Sequence, residues 1–328
     1  MRYTLGIITI VLLFSCDNTL VLNAEYQDIP IVYGLLSVSE ENQFIRVERA
    51  FLDPDRSATE IAVISDSIYY PSLDVQLVNL RNNEVHTLRK VNGNEIGLPR
   101  DEGAFAVDPN TLYTIGTSEM SLSAGESYEL VINRGEGKEA IRATTTVVDT
   151  ILITQPSTRL NFDINTNFRV SWFPKSTGNV PSVYDVSMIV NFEEVNTLDP
   201  DMEPVPVTLE WSLAKSITDE TEILKLGNEF FVFLQNNIEV KENIRRDFIG
   251  IDVVIDAGGQ EILDYVRVGQ ANLGITASQE IPFYTNLSEG RGIFSSRNRK
   301  FKKRVLLTPV AQNVVKSNDL TKSLNFNF

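Results

Sequence analysis

Between Arg291 and Arg304 the chain carries seven basic residues and no acidic one: Arg291, Arg297, Arg299, Lys300, Lys302, Lys303 and Arg304. Gly290 and Gly292 stand at the head of the run, in "SEGRGIFSSRNRKFKKR". Cations beside glycines are the materials of a phosphate or nucleic-acid site, because side-chain cations and backbone N–H groups neutralise phosphate oxygens. The chain as a whole opposes that chemistry. Its formal charge of −15 repels polyanions and excludes nucleic acid as a main partner. The residues that follow, "KFKKRVLLTPV", pattern as a strand, and no helix N-terminus is expected there to receive phosphate. Two readings stay open. One is a glycine turn into a strand whose leading charges guard a sheet edge; the other is a docking patch for an acidic partner or for lipopolysaccharide phosphates.

Other familiar chemistries lack their parts. His86 is the only histidine, whereas a Ser-His-Asp or Cys-His arrangement needs an imidazole held by an acid and zinc needs several His or Cys ligands. "RGEGKEA", Arg134 to Ala140, has the glycine spacing of a dinucleotide loop, but a strand rather than a helix is expected after it, so its glycines read as hairpin residues. "DINTNF", from Asp163, opens like a calcium loop but has Phe168 and Pro174 where an EF-hand needs glycine and glutamate. The acids of "DPDRS" (Asp53, Asp55) and "DPDMEP" (Asp199, Asp201, Glu203) read as solvated loop residues. Glycoside hydrolysis needs two carboxylates across a cleft, and nothing singles out a pair among 44 acidic residues. No catalytic residue, metal or cofactor is expected.

The N-terminus points to an address. Arg2 precedes an apolar run from Leu5 to Phe14 that ends at Ser15-Cys16. That run is shorter than the roughly 20 residues a bilayer-spanning helix needs, and its flanks are those of a secretory signal. Leu13-Phe14-Ser15-Cys16 resembles the lipobox of bacterial lipoproteins, in which the cysteine carries diacylglycerol. Cys16 is the only cysteine, so no disulfide can form and core packing must supply the stability. Each buried lipid methylene contributes about 0.8 kcal/mol, and two or three chains together anchor firmly.

The remaining sequence must position these groups, and it reads mainly as strand. Period-two alternation marks "IPIVYGLLSV", "NQFIRVERAFL", "LDVQLVNL", "EVHTLRKV", "TLYTI", "SYELVINR" and "AIRATTTVV", separated by turn residues. These predict an N-terminal β-sandwich over residues 29–149. A second β-rich unit over 150–310 contains "TILITQPS", "NFRVSWFP", "YDVSMIVNFEEV" and "VPVTLEWSLAKSI". Phe230, Leu234 and Ile238 recur at four-residue steps and predict a helix near 226–240. "FIGIDVVIDAGGQEILDYVRVG" predicts a hairpin around Ala257-Gly258-Gly259, and residues 311–328 read as a flexible tail. Residues 1–15 are then signal and 16–28 a lipidated tether. The expected fold is two immunoglobulin- or fibronectin-like β-sandwich modules, the second with a helical insertion.

The lipobox, the early "IPIVYGLLS…FIRVERAFL" and the late "YTNLSEGRGIFSSR" together resemble a family of Bacteroidota lipoproteins catalogued as domain of unknown function 4249. The resemblance spans about residues 28–310 and implies a β-rich outer-membrane lipoprotein, often encoded beside TonB-dependent transporters. It carries over no catalytic or ligand-binding residue. Asp66-Ser67-Ile68 and Asp149-Thr150-Ile151 resemble the O-glycosylation sites of Bacteroidota secreted proteins, making Ser67 and Thr150 candidates. The expected role is non-catalytic binding or assembly at the cell surface or periplasmic face, anchored through Cys16 and serving a transporter or surface complex. A carbohydrate-binding module is the alternative, with glycan as partner, and a glycan-acting enzyme the third reading.

Overall fold

Strand makes up 49% of the computed structural model and helix 16%, so the chain is mainly β, with a β-sandwich-like arrangement. The structure describes residues 28–50, 57–135, 137–175, 180–199, 201–271 and 283–328. Cys16 therefore lies outside the described residues, as do Asp53 and Asp55.

The strands run in chain order. The first eight are β1 (Ile29–Leu36), β2 (Asn42–Ala50), β3 (Asp74–Asn79), β4 (Glu84–Thr87), β5 (Arg89–Asn92), β6 (Thr111–Gly116), β7 (Ser127–Asn133) and β8 (Ile141–Thr146). Then come β9 (Ile151–Gln155), β10 (Arg159–Leu160), β11 (Asn167–Pro174), β12 (Val183–Asn196), β13 (Val205–Ile217), β14 (Glu222–Leu226), β15 (Ile244–Gly258), β16 (Arg291–Leu307) and β17 (Phe326–Asn327). Among the described residues five α-helices join them: α1 (Ala58–Ala62), α2 (Ser65–Ile68), α3 (Asn228–Asn237), α4 (Gln260–Ala271) and α5 (Pro309–Ser317).

One large sheet has the order β13-β12-β15-β16-β1-β2-β6-β5, with β10 paired to β16 and β17 to β15. Two smaller sheets, β4-β3-β7-β8 and β14-β11-β9, pack against different ends of it. Alternation along each strand aims one set of side chains inward, producing two cores. The first gathers Val32, Ile45, Val47, Leu77, Tyr128 and Leu130. The second gathers Trp172, Tyr184, Met188, Phe192, Phe230 and Ile255. "EVHTLRKV" is not one strand. It divides at buried Leu88 into β4, paired with β3, and β5, paired with β6, so the chain crosses from one layer to the other.

Strand β16 joins the two halves. Its start pairs in parallel with β1, from Ile31↔Arg291 to Leu36↔Ser296. Its continuation pairs antiparallel with β15, from Gly258↔Arg297 to Ile251↔Val305. Phe294 is buried in the first core, while Val305 and Leu307 are buried in the second. The first core is thus not built from residues 29–149 alone.

Helix α3 falls where its apolar spacing predicts it and buries Phe230, Phe231 and Leu234. Phe162 stacks on Phe230 at 4.0 Å between ring centroids. Two expectations need correction. The hairpin around Gly258-Gly259 is instead the end of β15 leading into α4, in which Leu263 is buried and Ile262 and Val266, four residues apart, are half-buried. The C-terminal residues 311–328 are not a flexible tail. Thr308 caps α5 by accepting a bond from the Ala311 N–H, with Pro309 opening the helix. Ala311, Val315, Leu324 and Phe326 enter the second core, and β17 pairs with β15. The Arg246 guanidinium, fully buried, donates to the carbonyls of Leu324 (2.7 Å) and Glu239 (2.8 Å) and to Glu194 (2.7 Å). Burial raises the Glu194 carboxyl, but bonds from Lys241 and Arg246 outweigh it and hold it below its usual range.

Candidate functional site

The basic run lies on β16, which begins at Arg291, earlier than its glycines suggest. Gly292 sits inside the strand at φ +114°, pressed against the Val32 carbonyl so that a Cβ would run into that oxygen. Glycine is required there by close backbone approach as well as by the positive φ. Asn286 supplies the pairing that a strand would otherwise give: its Nδ2 donates to the Phe294 carbonyl (2.7 Å) and its Oδ1 accepts from the Phe294 N–H (3.0 Å).

The seven cations divide by what they touch. Arg291 lies over the Phe283 ring, 4.4 Å from its centroid. Arg299 forms a forked pair with Asp256, Nε to Oδ1 at 2.7 Å and Nη2 to Oδ2 at 2.9 Å. That bond, with the Asp256 charge, raises the Arg299 pKa against the opposing effect of burial. Arg304 adopts φ +55° in a bulge opposite Asp252, whose Oδ1 accepts its backbone N–H at 2.7 Å. Among the described residues, the side chains of Arg297, Lys300, Lys302, Lys303 and Arg304 form no ion pair. Lys303 has a ring partner, Phe301, at 5.8 Å. Alternation puts Arg297, Arg299, Phe301 and Lys303 on one face of the sheet and Lys300 and Lys302 on the other. Among the described residues no strand pairs with the second edge of β16 between Arg297 and Val305.

A second cluster escaped the sequence reading. Asp28, the first described residue, accepts bonds from Tyr70 (2.6 Å), Lys138 (2.8 Å) and Arg134 (3.1 Å). Arg134 is nearly buried and also donates to Glu289 (3.0 Å), just ahead of β16. Burial raises the Asp28 carboxyl, but the bonds from Lys138 and Tyr70, with the charges of Lys138 and Arg134, hold it below 3.8. For Tyr70, burial and the Asp28 bond push the hydroxyl pKa far up. The sequence signal was "RGEGKEA", where attention to the glycines hid Arg134.

The remaining candidates are dispersed. Ser67 is half-buried in α2, and Thr150 is half-buried before β9 with its N–H and hydroxyl both bonded to Asp149. His86 lies on edge strand β4, with Nε2 3.7 Å from Glu84. Among the described residues no group of three or more His, Cys, Asp or Glu could hold a metal ion. No protein-family model matches the chain, and no curated protein matches it significantly.

Proposed function

We propose that this chain is a lipid-anchored lipoprotein of the outer membrane, held through Cys16, that acts by docking rather than catalysis. Its partner is an outer-membrane transporter or surface complex presenting acidic groups. The reading rests on one observation: in a chain of net charge −15, the side chains of Arg297, Lys300, Lys302, Lys303 and Arg304 have no carboxylate partner among the described residues, and all five lie along one strand. With 44 acidic residues available, a cationic strip left unneutralised makes a local field that steers and orients an acidic surface. The lipobox-like Leu13-Phe14-Ser15-Cys16 supports the anchor, and the single histidine supports a binding role over acid–base chemistry.

The two halves of the reading are tested separately. Radioactive palmitate should label the wild-type chain, while Cys16→Ala should go unlabelled and leave the membrane fraction; a labelled, membrane-bound Cys16→Ala protein defeats the anchor. Crosslinking in intact outer membranes should recover a defined complex. The Lys300→Glu/Lys302→Glu/Lys303→Glu variant should recover it at least about tenfold less well, a coupling of roughly 1.4 kcal/mol. Equal recovery removes the docking role.

A further inference from the structure

The outward face of the large sheet carries a groove of about 390 Å³ over β1, β2 and the start of β16. The register places Tyr33 between Ile293 of β16 and Arg46 of β2. Tyr33 is 45% exposed and Leu98 41%, and half-buried Phe44 joins them as an apolar floor. Tyr265 of α4, also 45% exposed, stands close enough to raise the Tyr33 hydroxyl pKa, an effect second to that residue's own burial. Around the floor stand four planar polar side chains: Glu40, Asn42, Arg46 and Arg297. Arg46 is held by Glu48 at 3.1 Å. The side-chain polar groups of Glu40, Asn42 and Arg297 make no hydrogen bond or ion pair among the described residues.

We propose that this groove binds an acidic oligosaccharide, a chain of uronate sugars, with a sugar ring on Tyr33 and a carboxylate on Arg297. The size is that of a small-ligand site, with an apolar floor and a few converging polar groups. A pyranose ring presents C–H faces that pack on aromatic rings, and neighbouring hydroxyls that match the paired donors and acceptors of Asn, Glu and Arg. Arg46 is occupied by Glu48, so Arg297 is the guanidinium left to receive an anion, and Arg holds a carboxylate through two parallel bonds. An extended peptide fits less well. β1 is paired on both sides, by β16 and β2, so the groove floor offers no free backbone edge for strand addition.

The test titrates the purified full chain in detergent with tetragalacturonate and tetramannuronate, with cellotetraose as the neutral comparison and tetraglutamate as the acidic peptide. A uronate tetramer should bind with a Kd at or below about 1 mM and at least about tenfold more tightly than cellotetraose. Tyr33→Ala should weaken both sugar classes by at least about tenfold. Arg297→Gln, a change at an exposed position, should bring the uronate affinity down to the neutral level and leave cellotetraose unchanged. Arg291→Gln, outside the groove, should change neither. Failure of both uronates to bind, equal binding of tetraglutamate, or an Arg297→Gln variant with its acid preference intact overturns the proposal. Arg297 belongs to the basic strip as well, so the docking role is judged separately by the Lys300→Glu/Lys302→Glu/Lys303→Glu variant, whose residues lie outside the groove and whose uronate affinity should be unchanged.

Discussion

The two halves of β16 share one strand and one basic run, yet they meet opposite surroundings. From Arg291 to Ser296 the backbone is flanked by β1 on one side and by Asn286, with the Gly259 N–H on Ser296, on the other. Gly292, Phe294, Ser295 and Ser296 are buried, and the half's one cation, Arg291, lies at its outer end. From Arg297 to Arg304 β15 is the one strand among the described residues that pairs with it, and the other six cations collect there. Charge is tolerated where one flank meets water and excluded where both flanks are covered, because a buried unpaired cation costs several kcal/mol. The first half is consequently a structural weld between the two cores and the second half a surface.

Substitutions should split along the same line. The largest loss is expected at Gly292. An alanine there must hold a left-handed φ and also force its Cβ into the Val32 carbonyl. Gly292→Ala should cost about 4 kcal/mol or prevent folding, read by chemical denaturation. A loss below about 1 kcal/mol would show that β1 and β16 do not approach so closely. Asn286→Ala comes next. It strips both side-chain bonds from the backbone of fully buried Phe294, at a cost of about 2 kcal/mol, and Asn286→Asp should recover only the bond in which Oδ1 accepts.

The weld has an electrostatic latch with a defined pH dependence. Arg134 ties Asp28, at the start of β1, to Glu289, at the head of β16. Asp28 is depressed in the folded state, so its stabilisation is fully present above its unfolded pKa and is lost as pH falls through the folded value. Asp28→Asn should therefore be about 1.5 kcal/mol less stable than wild type at neutral pH. That gap should close as the pH drops below 3.8. A gap that stays constant into acid would mean that the carboxylate charge is not what holds the latch.

Much of the fold was legible because it is local. β1 and β2 alternate cleanly, and α3 announces itself by Phe230, Phe231 and Leu234. What failed had a mixed local signal. In "EILDYVRVG" the apolar residues fit alternation and a helical face almost equally, and packing of Leu263 decides for the helix. In the C-terminal segment, Ala311, Val314 and Val315 make the packed face of α5, a short stripe of small residues interrupted by Gln312 and Asn313 and easily missed. The pairing of β1 with β16 joins opposite ends of the chain, and no local pattern encodes it. The cationic strip was visible in sequence because like charges cluster there. The groove was not, because Tyr33, Phe44, Leu98 and Arg297 come together only through that long-range pairing.

The smallest stability effect is expected on the open half, and it separates the two roles those lysines can play. Lysines on an unpaired edge deter strand addition from another copy, and the same charges would steer an acidic partner. Lys300→Thr/Lys302→Thr/Lys303→Thr keeps strand propensity and removes charge, so the folding free energy should move by less than about 0.5 kcal/mol. If edge protection is their main role, the variant should self-associate in sedimentation or light scattering while still recovering the membrane complex. If docking is their role, it should stay monodisperse relative to wild type and lose the complex, with the wild-type interaction weakening as salt rises because exposed charges are screened beyond a Debye length of about 8 Å at physiological ionic strength. A destabilisation comparable to that of Asn286→Ala would break the comparison itself, since the second half of β16 would then be bearing packing energy and not presenting a surface.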